Sequence, residues 1–290
     1  MKLLTEMGVS IMDNLDTLFP KLPLDEWIIK LVDILKDSLS GFFDAITDGI
    51  KFLTDEFVDL LSLPPALILI VIFALIAWWV GNWKIGLFTL IGFGLINNLG
   101  YWEETLFTIS LVLISVVIAI IIGVPIGIWM SQKKALQTVV TPILDFMQTM
   151  PAFVYLIPAV MFFSTGMAPG VVATVIFAMP PTIRLTNIGI RQVDEELIEA
   201  SNAFGSTTWQ RLVKVQLPLA KTNIMAGVNQ TIMLSLSMVV IASMVGAKGL
   251  GADVYRAVTQ VKIGLGFEAG LGLVILAMVL DRVTQAANKK

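Results

Sequence analysis

Hydrophobic and polar positions change their rhythm at Pro64-Pro65. Before this pair, apolar residues recur at helical spacing through Trp27, Leu31, Ile34, Phe42, Ala45, Phe57, Leu60 and Leu61. Acids fill the opposite face (Asp33, Asp37, Asp44, Asp48, Asp55, Asp59), and Gly41 and Gly49 are the expected breaks. After the pair, apolar residues run almost without interruption. Ala66–Val80 and Ile85–Leu99 are short runs, each below the ~20 residues that cross a bilayer comfortably. Trp78, Trp79 and Trp83 beside Lys84 mark one interfacial belt, so the two runs are expected to form a tight hairpin of two spans.

Thr105–Met130 is the cleanest span, without a charge. Ala135–Phe163 follows, interrupted by Pro142, Pro151 and Pro158 and carrying Asp145. A helix with three prolines is broken or kinked, which a membrane tolerates where neighbouring protein or a cavity satisfies the freed backbone groups. Broken helices are also where transport paths tend to lie. Asp145 is either an intramembrane ionisable residue or a group at the water interface beyond Lys133 and Lys134. Ala168–Ile190, Asn223–Gly246 and Phe267–Val283 complete the set, with the amphipathic piece Asp253–Lys262 before the last span. The expected fold is an all-α polytopic membrane protein with about seven transmembrane helices.

Residues 194–218 break the apolar pattern most sharply. Asp194 is a plausible N-cap, with Glu195 and Glu196 in a first turn where the helix dipole favours carboxylates. Gly205 is placed to end that helix in a left-handed turn. Thr207-Thr208-Trp209-Gln210 has the spacing of a capping box, opening a second helix that should stop near Pro218.

Composition fixes the class. Hydrophobic residues make up 57% and charged residues 14%, against roughly a quarter in a normal globular chain, and mean hydropathy is +0.87. The absence of cysteine and histidine removes Cys/His zinc sites, thiol nucleophiles and Ser-His-Asp triads. No Gly-x-x-x-x-Gly-Lys-[Ser/Thr] phosphate loop occurs, and the acid pairs Glu103-Glu104 and Glu195-Glu196 read as solvated helix starts. Nothing supports bond chemistry in this chain, so uphill transport would draw on an ion gradient or on a partner.

Charge placement sets orientation. Residues 1–64 carry five Lys against twelve Asp and Glu. Their opening lacks the charged-then-apolar order of a signal peptide, and their helices lack the Lys and Arg of typical surface-binding helices. Packing on the transmembrane body is therefore the expectation for them. Placing residues 191–222 in the cytoplasm gathers Lys84, Lys133, Lys134, Arg184, Arg191, Arg211, Lys214, Lys221, Arg282, Lys289 and Lys290 on that side. The amino-terminus is then outside and the carboxy-terminus inside.

The polar interruption also carries a motif. Glu199-Ala200-Ser201, three residues, Gly205, nine residues and Val215-Gln216-Leu217-Pro218 resemble the EAA loop of binding-protein-dependent ABC importer permeases (MetI-like), whose pattern is Glu-Ala-Ala, three residues, Gly, nine residues, Ile-x-Leu-Pro. Ser201 replaces Ala and Val215 replaces Ile. At average residue frequencies, five fixed matches arise by chance in well under about one chain per thousand. Asp145 to Pro158, Pro180 to Asn187, Gly227 to Met233 and Ser237 to Ala242 further resemble the glycine betaine/proline betaine branch.

The resemblance implies a five-helix type I ABC importer permease core over residues 104–283 with a cytoplasmic coupling helix pair at 191–222. An acidic extracytoplasmic region (1–64), two accessory helices (65–103) and a cytoplasmic tail (284–290) surround it. It implies ATPase coupling through Glu199, Ala200, Ser201, Phe204, Gly205, Val215, Leu217 and Pro218. It further implies a permease homodimer in a prokaryotic cell membrane, two cytoplasmic ATP-binding subunits and an extracytoplasmic substrate-binding protein. The chain itself would hold no cofactor; ATP and Mg would sit on the partner ATPase, and no nucleic acid is involved. Asp145, Phe146, Pro151, Phe153, Tyr155, Pro158 and Asn229 are the candidate translocation path. Carnitine, choline or an amino acid is the alternative cargo, and an ion-coupled transporter or osmotic channel is the alternative class.

Overall fold

The computed structural model describes residues 23–288, and every regular element among them is helical. The expectations placed on residues 1–22 and on Lys289 and Lys290 lie outside the described residues. The elements are α1 (Leu24–Ser62), α2 (Ala66–Val80), α3 (Trp83–Asn98), α4 (Trp102–Gln132), α5 (Lys134–Thr149), a 3-10 turn (Ala152–Tyr155), α6 (Leu156–Phe163), α7 (Met167–Arg191), α8 (Glu195–Ala203), α9 (Thr208–Arg211), a π turn (Leu212–Gln216), α10 (Leu217–Ser243), α11 (Leu250–Thr259) and α12 (Ile263–Asn288).

The chain divides into two compact units, the first ending at Asp44. Within the first, α1 is mostly exposed, and Phe42 and Phe43 meet edge to face at 5.7 Å. The breaks expected at Gly41 and Gly49 do not occur. The helix runs through both glycines and kinks at Leu39 instead. In the second unit, Thr47, Ile50, Thr54 and Val58 form a buried stripe at helical spacing. Ser110 Oγ donates to the Thr54 carbonyl at 3.2 Å, tying this part of α1 to α4. For residues 45–62, then, packing against the body is what the acidic face permits.

The hairpin of α2 and α3 forms as expected. Asn82 caps α3 by accepting from the backbone N–H of Lys84 (3.0 Å) and Ile85 (3.1 Å). At 15 and 16 residues these helices are only about 23 Å long, short of a ~30 Å hydrocarbon core. Among the described residues, four helices have the length and composition to cross a membrane, and six do if the bent pairs α1–α2 and α5–α6 each count as one span. The expected seven counted α2 and α3 separately.

The centre is a three-helix stack of α4, α7 and α10. Small residues let the backbones approach where lipid supplies no hydrophobic drive. A Cβ at Gly127 of α4 would lie 2.6 Å from both the Ile183 carbonyl oxygen and Thr186 Cβ of α7. Hydroxyls join the same helices: Thr231 Oγ1 donates to the Ala178 carbonyl at 2.9 Å and lies 2.7 Å from Thr182 Oγ1. With the Thr231 proton so committed, Thr182 donates to Thr231. Pro125, Pro180 and Pro181 all sit inside continuous helices of this stack.

Two ends of the molecule are distinct. At one, Leu250 N–H donates to Thr108 Oγ1 (2.9 Å) and Gly166 N–H to the Val245 carbonyl (2.8 Å). Burial there, then Glu268, Asp253 and Glu104, push the Tyr101 phenol above its ordinary pKa. At the other end, Arg191 Nη2 donates to the Met130 carbonyl (3.4 Å) and Asn223 Nδ2 to Gln192 Oε1 (3.3 Å). Lys133, Lys134, Arg191 and the polar interruption cluster at that end.

Candidate coupling site and translocation path

Leaving α7, the chain turns through Gln192 and the buried Val193 into α8. Asp194 occupies the N-cap position, but its side chain makes no capping hydrogen bond, so Glu195 and Glu196 in the first turn carry the dipole complementarity. The other end of α8 is closed by backbone alone. Gly205 takes φ +77, its N–H donates to the Asn202 carbonyl (2.9 Å), and Ser206 N–H reaches the Ser201 carbonyl (3.1 Å). That pair of bonds is a Schellman motif, and glycine is the residue that enters it without steric cost.

The capping box forms in full. Gln210 N–H donates to Thr207 Oγ1 (3.2 Å), and Thr207 N–H donates to Gln210 Oε1 (2.9 Å). Arg211 Nη1 then donates to Asn202 Oδ1 at 3.0 Å, clamping the second arm to the first. The expected stop near Pro218 is absent. A π turn over Leu212–Gln216, with Leu217 N–H bonded to the Leu212 carbonyl, precedes Pro218 at the first turn of α10. Proline is tolerated there because its missing N–H falls at the seam between two helical windings. The arm and the membrane helix are thereby one continuous element from Thr208 to Ser243.

Beneath the loop, Ile190, Leu212 and Ala220 are buried together, with Ile128, Leu217 and Ile224 around them. Burial sorts the predicted coupling residues. Ser201 is buried, which explains a small residue there; Val215 and Leu217 are half-buried. Glu199, Ala200, Phe204, Gly205 and Pro218 are exposed. Phe204 is 91% exposed, and Trp209 on the second arm is 71% exposed. The capping-box spacing by itself gives Trp209 only a filler position. Its signal was a large aromatic inside a polar stretch, which a solvated loop has no reason to display.

The broken segment packs against α4, α7 and α10. The break falls at Met150-Pro151, both extended, and α5 and α6 meet at 108°. Pro142 stays inside α5 and Pro158 inside the first turn of α6 without breaking either. Tyr155 is buried, its hydroxyl donates to the Met147 carbonyl across the break, and its ring meets Phe177 edge to face at 6.1 Å. Phe146, Pro151, Phe153 and Pro158 are exposed. Asp145 is joined to Arg184 of α7 by a 2.6 Å ion pair. Asn229 belongs elsewhere: its Nδ2 donates to Asp281 Oδ1 of α12 at 3.3 Å. From the sequence, Arg184 is only one of the charges expected on the cytoplasmic side; its pairing with Asp145 joins residues 39 apart and leaves no local signal.

Residues 119–290 match the family described as binding-protein-dependent transport system inner membrane component. The chain belongs to that family. It is 59% identical over 271 residues to the glycine betaine transport system permease protein OpuAB of Bacillus subtilis, covering 93% of this chain and 96% of that protein. It is 54% identical to the glycine betaine/carnitine transport permease protein GbuB of Listeria monocytogenes, covering 93% and 97%. Identity to the glycine betaine/proline betaine permease ProW of Escherichia coli is 46%, covering 92% and 76%. An inward-facing structure of the MetNI methionine ABC transporter shares the fold, with a TM-score of 0.55 and 24% identity, covering 62% of this chain and 93% of that one. As a member of the family, the chain is a transport permease subunit in a membrane, and ATP hydrolysis and substrate capture fall to separate partners.

Proposed function

We propose that this chain is the translocation subunit of an ATP-driven importer of glycine betaine or a related quaternary ammonium osmoprotectant. The observation that carries the reading is identity of 46–59% to glycine betaine permeases over more than nine-tenths of the chain. Carnitine is the second cargo, favoured by the name of the 54% identical Listeria relative.

In this reading, two copies of the chain form the pore. An ATP-binding subunit, carrying ATP and Mg, seats on the helix-turn-helix of each copy. Phe204 and Trp209 enter the subunit's groove, Glu199 pairs at its rim, and Gly205 sets the angle between the arms. Continuity from Thr208 to Ser243 supports the coupling step, because a push on the second arm travels along one rigid element into the central stack. The basic end of the molecule faces the cytoplasm of a prokaryotic cell, leaving the amino-terminus outside. The exposed residues of the broken segment, Asp145, Phe146, Pro151, Phe153 and Pro158, line the path with the buried Tyr155, and Asn229 braces α12.

The test is reconstitution in liposomes with the cognate ATPase and binding protein, followed by competition among glycine betaine, carnitine, choline and methionine. ATP-dependent betaine uptake displaced by betaine and carnitine supports the reading. Uptake under an ion gradient without the ATPase refutes it.

A further inference from the structure

Charges within the apolar thickness of a membrane protein face a partner, the bundle interior or water. Arg184 lies seven residues before the end of α7, about 10 Å along the axis from Arg191. Its side chain is 37% exposed and that of Asp145 54% exposed, and they meet through one nitrogen and one oxygen only. A bidentate, covered pair resists exchange more than a single-contact, open one does. This one is single-contact and open. The Arg184 Nε is shielded from solvent and makes no hydrogen bond, so the part of the side chain open to another acceptor is its outer edge, which is where the 37% exposure lies.

The partners on either side fix how the pair is held. Leu144, next to Asp145, is buried with Ile183, next to Arg184, and with Met130 of α4. The charged groups therefore project from a packed seam between α5 and α7. Asp145 lies in the last two turns of α5 before the break at Met150-Pro151.

We infer that Arg184 and Asp145 form a transit subsite for a zwitterion. The cargo's carboxylate takes the Arg184 fork, and its cationic nitrogen takes Asp145. The proposal rests on the betaine-import reading for the identity of the cargo. Its physics is charge conservation: the site is neutral when closed on itself and neutral when a zwitterion parts it, so no step leaves an uncompensated charge in the membrane. A cation without a carboxylate, such as choline, would fill only the Asp145 half and strand Arg184. The pair thus selects for zwitterions at a point the substrate-binding partner does not control.

The test uses the complete transporter, with its ATPase and binding protein, in lipid nanodiscs and liposomes. Because the chain has no cysteine, Gln148→Cys, one helical turn from Asp145, places a single reporter on this face. A charged, water-borne thiol reagent should modify it, and saturating glycine betaine should slow the reaction. Arg184→Gln and Asp145→Asn should each lower betaine uptake more than about tenfold, with the double variant no better than either single one. A structural bridge behaves differently, because removing both charges together restores what removing one destroys. Wild-type uptake in the double variant, or an unreactive Gln148→Cys, overturns the subsite. Failure of the unmodified transporter to take up betaine would overturn the cargo reading instead, while thiol reactivity would still report whether the face is wet.

Discussion

The central stack of α4, α7 and α10 and the helix-turn-helix of α8 and α9 reach rigidity by opposite means. In the stack, Gly127 closes on Ile183 and Thr186, and Thr182 and Thr231 satisfy one another out of reach of water. In the loop, order comes from the Schellman bonds, the capping box and the Arg211–Asn202 clamp, while the large side chains stay in solvent. A stack held by close approach transmits displacement and tolerates little change in volume. A loop held by local hydrogen bonds keeps its shape without a core, which leaves Phe204 and Trp209 free for a partner.

That contrast can be broken from either side. The largest effect is expected from Gly205→Pro, which cannot adopt φ +77 and removes the N–H that closes α8. Uptake should vanish while the protein remains in the membrane at normal level, as judged by transport and by immunoblot of membranes; Glu199→Arg should act the same way through charge. Normal uptake in both variants would end the coupling assignment. Next, Phe204→Ala with Trp209→Ala should weaken ATPase association by about 2 kcal/mol or more, measured by binding to the purified permease, with thermal stability unchanged.

In the stack the signs reverse. Gly127→Leu forces α4 and α7 apart and should cost about 1–3 kcal/mol, seen as a lower unfolding temperature and reduced folded yield in detergent. ATPase binding by the surviving folded fraction should be unaltered. The smallest effect is expected for Thr207→Ala, which removes one cap and about 1 kcal/mol of local order. Hydrogen exchange should rise at Thr208 to Arg211 and stay unchanged in α4, α7 and α10.

Legibility followed the range of the interaction. The turn at Gly205 and the capping box at Thr207 and Gln210 were readable because each is complete within a few residues. The stop expected at Pro218 failed for a local reason of another kind: a π turn absorbs a proline without ending the helix, and no residue type announces a π turn. Gly41 and Gly49 suggested breaks in α1, yet the helix continues through them and bends at Leu39. Glycine lowers helix propensity by only about 1 kcal/mol, which helical context overrides. Of the path candidates, the exposed residues from Asp145 to Pro158 share one broken segment, whereas Asn229 faces α12. Its grouping with them required a distance that periodicity does not contain.

By itself the sequence determined the class of molecule, the polar interruption and the family motif within it, since hydropathy, charge bias and short spacing are properties of neighbours along the chain. Tertiary structure decided which side chains of that motif point outward, that its second arm is continuous with a membrane helix, and that Asp145 meets Arg184. The reason is physical. Burial and ion pairing join residues from separate helices, and the angle between those helices is set by how closely small residues such as Gly127 let them pack.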